Sequence, residues 1–163
     1  MMKSKWLWAL LVVLLGVGLA AGSVLATPPS GQTTSTVARS SFDSLSLHSH
    51  VAHVWKAKMK TRGLSDFYVI DNHFAPGGTS GWHSHPGPSL IFVVAGTVTN
   101  YLGDDPQCRP HVYTAGQGFV DDGSHPHTLR NEGSVTAETV AVQFLPAGAT
   151  RRNDEPDPGN CNF

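Results

Sequence analysis

Charge is scarce in this sequence, and cysteine is scarcer. Only 14% of the residues are charged and the formal net charge is −1, so no basic stripe is present to neutralise a phosphate backbone. Nucleic-acid binding is thereby excluded as a function class. No helical period runs through the chain, which argues against a helical bundle. There is no internal repeat beyond the His-x-His pairs. A Ser-His-Asp order, paired carboxylates and a phosphate-binding glycine loop are all missing, which removes the common hydrolase and nucleotide-binding readings.

What is present begins with an address. Lys3 and Lys5 precede an uncharged run from Trp6 to Ala26 that closes on Val24-Leu25-Ala26, the pattern of a signal peptide over residues 1–26. An uncleaved membrane anchor is the alternative, and it is the only route by which a membrane would be a partner. No cysteine follows the run, which argues against a lipid anchor. Both readings predict a secreted or extracytoplasmic chain. In that compartment an even cysteine count favours a disulfide, so Cys108 and Cys161 are expected to bridge the tail to an internal loop, worth about 4 kcal/mol in the chain-entropy picture.

Residues 27–45 are rich in Ser, Thr, Pro and Gly and read as a flexible linker. Beyond them, short apolar runs separated by Gly, Pro, Asn and Asp predict an all-β sandwich or barrel. The expected strands are 54–60, 67–74, 81–85, 89–95, 97–102, 112–113, 118–120, 127–130 and 138–145. Residues 149–163 read as an irregular C-terminal tail.

Histidine is the conspicuous functional residue type, with nine in the chain. His83 and His85 are two apart, a spacing that points both imidazoles to one face of a strand, and neutral imidazole is a common ligand for divalent transition metals. His48, His50 and His53 offer a second, weaker cluster without an acidic or cysteine partner.

The surroundings of the first pair carry a resemblance. Gly77, His83, His85 and Gly96 fall on the spacing of the first motif of the cupin superfamily, with Ser89 where the family has glutamate. Gly116, His127 and Asn131 match the second motif, while Asp122 and Ser124 replace its usual proline and glycine. The chain thus resembles a cupin from about residue 66 to 146. The resemblance implies a small antiparallel, jelly-roll-like β-barrel, bounded here at residues 46–148, and one divalent transition metal (Fe, Mn, Ni, Cu or Zn) held by His83, His85 and His127.

With serine at position 89, three neutral imidazoles leave the ion's charge uncompensated, and such a site attracts an anionic or bidentate oxygen ligand. His125, Ser89, Tyr101 and Gln143 are expected to line the pocket. Its apolar walls are expected from Phe92, Val94, Val98, Phe119, Val140, Val142 and Phe144. The functional expectation is a metal-dependent dioxygenase acting on a small organic substrate; the alternative is a non-catalytic extracellular cupin that binds a small molecule or metal. A small-molecule ligand is the expected partner, with a homodimer as the further expectation that the family suggests.

Overall fold

The computed structural model describes residues 25–163, so all but the last two residues of the predicted signal segment lie outside the described residues. These contain strands and no helix. The strands are β1 (Ser30–Phe42), β2 (Ser46–Val51), β3 (Trp55–Lys60), β4 (Ser65–Thr79), β5 (His83–Ser84) and β6 (Ser89–Ala95). They continue with β7 (Thr97–Leu102), β8 (His111–Thr114), β9 (Gly118–Asp121), β10 (His127–Arg130), β11 (Ala137–Pro146) and β12 (Asn153–Asp154).

Ten of them form one antiparallel sheet that folds over on itself. One half runs β1-β4-β11-β6-β9; the other contains β12-β5-β10-β7-β8 and joins the first where Arg130 of β10 pairs with Thr79 of β4. Residues from both halves meet in the core, where Phe74, Val93, Val98, Leu129 and Ala137 pack as one cluster and Ile70, Ile91 and Ala141 as a second. The all-β barrel expected from the sequence is therefore present. Its motif glycines occupy corners that demand them, since Gly77 and Gly96 have φ of 75° and 68°, a region costly for residues with a Cβ.

Two domain boundaries differ from the composition-based expectation. Residues 27–45 are not a linker throughout, because β1 pairs with β4 along nearly its whole length. Almost all of β1 is exposed, so burial does not order it. The backbone ladder does, aided by β-branched residues that suit a strand and by anchors to its neighbour. Arg39 Nη2 and Ser41 Oγ donate to Asp66 at 2.8 and 2.5 Å, and Thr34 Oγ1 donates to Asn72 Oδ1 at 2.8 Å. In turn, β2 and β3 form a separate exposed hairpin, which moves the start of the barrel proper from residue 46 to β4, with β1 added from upstream.

The tail is more ordered than its composition suggests. β12 pairs with β5 through Asn153↔Ser84 and Asp154↔His83. Cys108 and Cys161 are joined in a disulfide, and Cys161 is buried against Trp82 and Tyr101. Phe163 stacks on Trp82 and receives the Arg130 guanidinium 4.0 Å from its ring centre.

Candidate metal centre

The site is assembled from strand register. β5 is only two residues long, but His83 sits directly opposite His127 of β10, and directly opposed residues of an antiparallel pair share a face. His85 follows on the same face of the chain. The three rings lie with centroids 4.4 to 5.6 Å apart, and all three are buried.

Each ring is fixed from behind. His83 Nδ1 lies 2.9 Å from Gly81 O, His85 Nδ1 2.8 Å from Arg151 O, and His127 Nδ1 3.2 Å from Asn100 Oδ1. An oxygen acceptor at Nδ1 places the proton there and leaves the Nε2 lone pair free, which is the arrangement that orients metal-ligating histidines. One ligand atom from each of the three residues lies within 4.8 Å of the others. His127 Nε2 is buried and has no hydrogen-bond partner. A divalent ion satisfies that orphaned nitrogen, so the donor set fits the metal that the family resemblance implies.

The imidazoles face a cavity of about 260 Å³ whose polar lining includes Ser89, Gln143, Arg151 and Arg152. These form a chain. Arg151 Nη1 donates to Gln143 Oε1 at 3.2 Å and Gln143 Nε2 donates to Ser89 Oγ at 3.2 Å. Gln143 Nε2 also lies 3.3 Å from His85 Nδ1, but that nitrogen already donates to Arg151 O, so the amide is left to Ser89. Arg152 is neutralised by Asp154 at 2.6 Å, whereas Arg151 has no carboxylate partner among the described residues. Burial and the neighbouring Arg152 cation lower the Arg151 pKa.

Asp121, at the end of β9, was not anticipated from sequence. Its Oδ2 lies 3.5 Å from His127 Nε2 and 3.7 Å from His85 Nε2. Like His127 Nε2, it is buried without a hydrogen-bond partner. The only hint in the sequence is its place in an Asp-Asp-Gly turn a few residues ahead of His127.

Burial holds the three imidazoles neutral. Desolvation lowers the pKa of His83, His85 and His127, the last to about 4, and for His127 the nearby Asp121 charge opposes this without overcoming it. The unfolded chain therefore binds more protons than the folded one as pH falls below the ordinary imidazole value of about 6.5, and stability drops with pH over that window. For the metal-free protein, the thermal midpoint is expected to fall steadily from about pH 6.5 to about pH 4, and His127→Asn is expected to flatten the decline. Melting curves across that range check it.

Several expected lining residues lie elsewhere. Tyr101 is buried, but its hydroxyl donates to Glu132 Oε1 at 2.8 Å and its ring packs under the tail. Its pKa is raised by that burial and by Glu132. His125 is exposed on the bend before Pro126, 3.1 Å from Ser124 Oγ. In β6 and β11 the apolar walls follow the opposite strand parity, whereas of the other expected wall residues Val98 is buried in the core and Phe119 packs against it. In β6 the inward side chains are Ser89, Ile91 and Val93, leaving Phe92 and Val94 49% and 50% exposed, and in β11 they are Thr139, Ala141 and Gln143. Ile70, Phe74, Ile91 and Leu129 line the cavity instead.

Because a strand's side-chain period is 2, reading the large residues as inward inverts the whole face. Part of the inward face is small or polar, at Ser89, Thr139, Ala141 and Gln143, and this leaves the cavity room. His48 and His50 lie on the exposed β2–β3 hairpin, and no metal-binding group forms there among the described residues. A further group, Asp71, His73 and Glu138, has only His73 exposed and the other two half-buried, and His73 Nε2 is already paired with Asp71 Oδ2 at 3.1 Å.

Residues 72–143 match the family model of the cupin domain, a stretch that holds all three histidines and Asp121. Among solved structures, the polyketide cyclase RemF from Streptomyces resistomycificus has a TM-score of 0.52 at 16% identity, covering 83% of this chain and 81% of its own. At that identity the likeness shows the fold alone. A double-stranded β-helix protein from Klebsiella pneumoniae subsp. pneumoniae scores 0.47 at 22% identity over 55% of this chain and 75% of its own. Oxalate oxidase in complex with glycolate scores 0.47 at 25% identity over 54% of this chain and 45% of its own. At these scores neither adds to the assignment. No curated protein matches the chain.

Proposed function

Residues 72–143 make this chain a member of the cupin superfamily, and from that premise we propose that it is a metal-dependent enzyme acting outside the cytoplasm on a small anionic organic molecule, with dioxygenase chemistry as the reaction class. One observation carries the reading: three buried imidazoles, each tied to an oxygen through Nδ1, open together onto a cavity large enough for a small molecule. The Cys108–Cys161 disulfide supports an oxidising compartment, in line with the predicted signal segment.

His83, His85 and His127 would hold the ion. Imidazole donors suit iron, copper, nickel and zinc, and of these the dioxygenase reading requires a redox-active one, with iron the natural choice. A bound ion would supply positive charge and positions for an oxygen ligand. The rest falls to the chain. Arg151, braced by Gln143, presents a guanidinium to an anionic group, and such charge-assisted bonds are strong and directional. Ile70, Ile91 and Leu129 keep the approach apolar.

Arg151→Met is expected to weaken binding of a small carboxylate about 10-fold, the size of one lost charge-assisted hydrogen bond. It should leave metal affinity within about 2-fold, since His85 is held by the Arg151 backbone carbonyl, which the substitution keeps. Calorimetric titration of wild type and variant with carboxylates and with metal checks both halves.

A second reading is a non-catalytic binder. Its support is the cavity's lining of amides and hydroxyls from Gln32, Thr34, Asn72 and Thr139, groups that hold a ligand but do not transfer protons at neutral pH. Oxygen uptake by iron-loaded protein with carboxylates, diols, flavonoids and thiols separates the two. Consumption that depends on the metal supports the enzyme. Tight binding with no consumption across the panel rejects it in favour of the binder.

A further inference from the structure

We propose that Asp121 is the fourth protein ligand of the metal centre, so that the carboxylate missing at Ser89 has moved one strand across, from β6 to β9. The inference rests on the metal-centre reading. Ser89 and Asp121 are direct antiparallel partners in the β6–β9 ladder, and directly opposed side chains project from the same face of the sheet. Both point inward, with 1% and 9% of their surface exposed. A carboxylate at either position therefore reaches the same region of the cavity.

Two orphaned atoms fix the point of contact. Asp121 Oδ2 and His127 Nε2 are both buried, both lack a hydrogen-bond partner, and face each other at 3.5 Å. His85 Nε2 stands 3.7 Å from the same oxygen. With the Nδ1 protons of both rings given to other oxygens, the Nε2 atoms have no proton to offer Asp121. Buried lone pairs that confront each other without a donor are unfavourable, and a cation shared among them relieves all three at once.

The other carboxylate oxygen, Oδ1, accepts the Gly123 amide at 2.9 Å. Gly123 sits at φ of 82°, so close to the His85 and Gly87 carbonyls that a Cβ there would clash. The corner that carries Asp121 is thus locked against the loop that carries His85. Three imidazoles and one carboxylate give an N3O donor set that cancels one charge of a divalent ion and leaves room for exogenous ligands.

The test is a competitive titration with Zn(II), together with the visible spectrum of the Co(II) form, on the mature protein. Asp121→Asn keeps the Oδ1 acceptor for Gly123 and removes the charge, so folding, checked by near-ultraviolet circular dichroism, is expected to persist. Affinity should fall about 10- to 100-fold or more and the Co(II) bands should shift. Adding Ser89→Glu to Asp121→Asn returns a carboxylate from the facing strand and should recover most of the loss. If Asp121→Asn binds both metals as wild type does, with the same spectrum, Asp121 is no ligand and the three-histidine site stands without it. If wild type itself binds neither ion, this inference and the metal-centre reading both fall.

Discussion

His127→Ala, purified and titrated with Zn(II), is expected to lose at least about two orders of magnitude in metal affinity. The estimate is a lower bound, because disturbing the groups that merely orient a metal-bound histidine already costs about 10- to 100-fold. His127 is the deepest of the three rings and stands opposite His83 in the β5–β10 pair. Its loss removes an imidazole donor and leaves the facing Asp121 oxygen without its nearest neighbour. Asn100→Ala provides the graded control. It removes the oxygen 3.2 Å from His127 Nδ1 and should cost about 10- to 100-fold, less than the ligand itself. Equal, small losses in both variants would mean that His127 serves only as polar lining.

The second large effect concerns the tail. Cys108 and Cys161 close a loop with a sequence separation of 53, and the entropy of leaving such a loop open in the unfolded chain corresponds to about 4 kcal/mol. Reduction, or Cys108→Ser with Cys161→Ser, is expected to lower the thermal midpoint by on the order of 15 °C. Calorimetry with and without reductant measures it, and a shift below about 3 °C would show that the tail docks without help from the bridge. The functional consequence is larger than for an ordinary tail clip. Residues 149–163 carry Arg151, whose carbonyl holds His85 and whose guanidinium reaches Gln143, and β12 pairs with the strand that carries His83. Loss of the bridge should therefore weaken metal binding as well as stability.

The parts of this site that the sequence displayed are those fixed by local geometry. His83 and His85 announce themselves by their spacing, and Gly77 and Gly96 mark left-handed corners whose conformation a side chain would strain. His127 follows from its motif, and Ser89 stands out because a carboxylate is expected there. What stayed hidden depends on register between distant strands. Asp121 matters because β9 pairs with β6 at one particular offset, and no local pattern encodes that offset.

The strand parity of β6 and β11 departs from the sequence expectation for a physical reason. Hydrophobic alternation normally marks the buried face, but in β6 and β11 the inward face is partly small and polar so as to enclose a cavity, while Phe92 and Val94 turn outward. The strand β1 was hidden because its order comes from hydrogen bonds to β4 and from Asp66, not from apolar residues of its own. Tyr101 is expected from the sequence to line the pocket. Its hydroxyl instead satisfies Glu132 beneath the tail, a contact that requires knowledge of where the tail lies.

The most direct test of the metal-centre assignment is anomalous diffraction from crystals of the protein grown with Zn(II) or Fe(II), collected at the absorption edge of the metal. One strong peak bonded to His83, His85 and His127 is expected, with Asp121 Oδ2 drawn in as the fourth protein donor. A fully folded structure with no peak among those histidines, or with its only ordered ion at the Asp71, His73 and Glu138 group, would contradict the assignment.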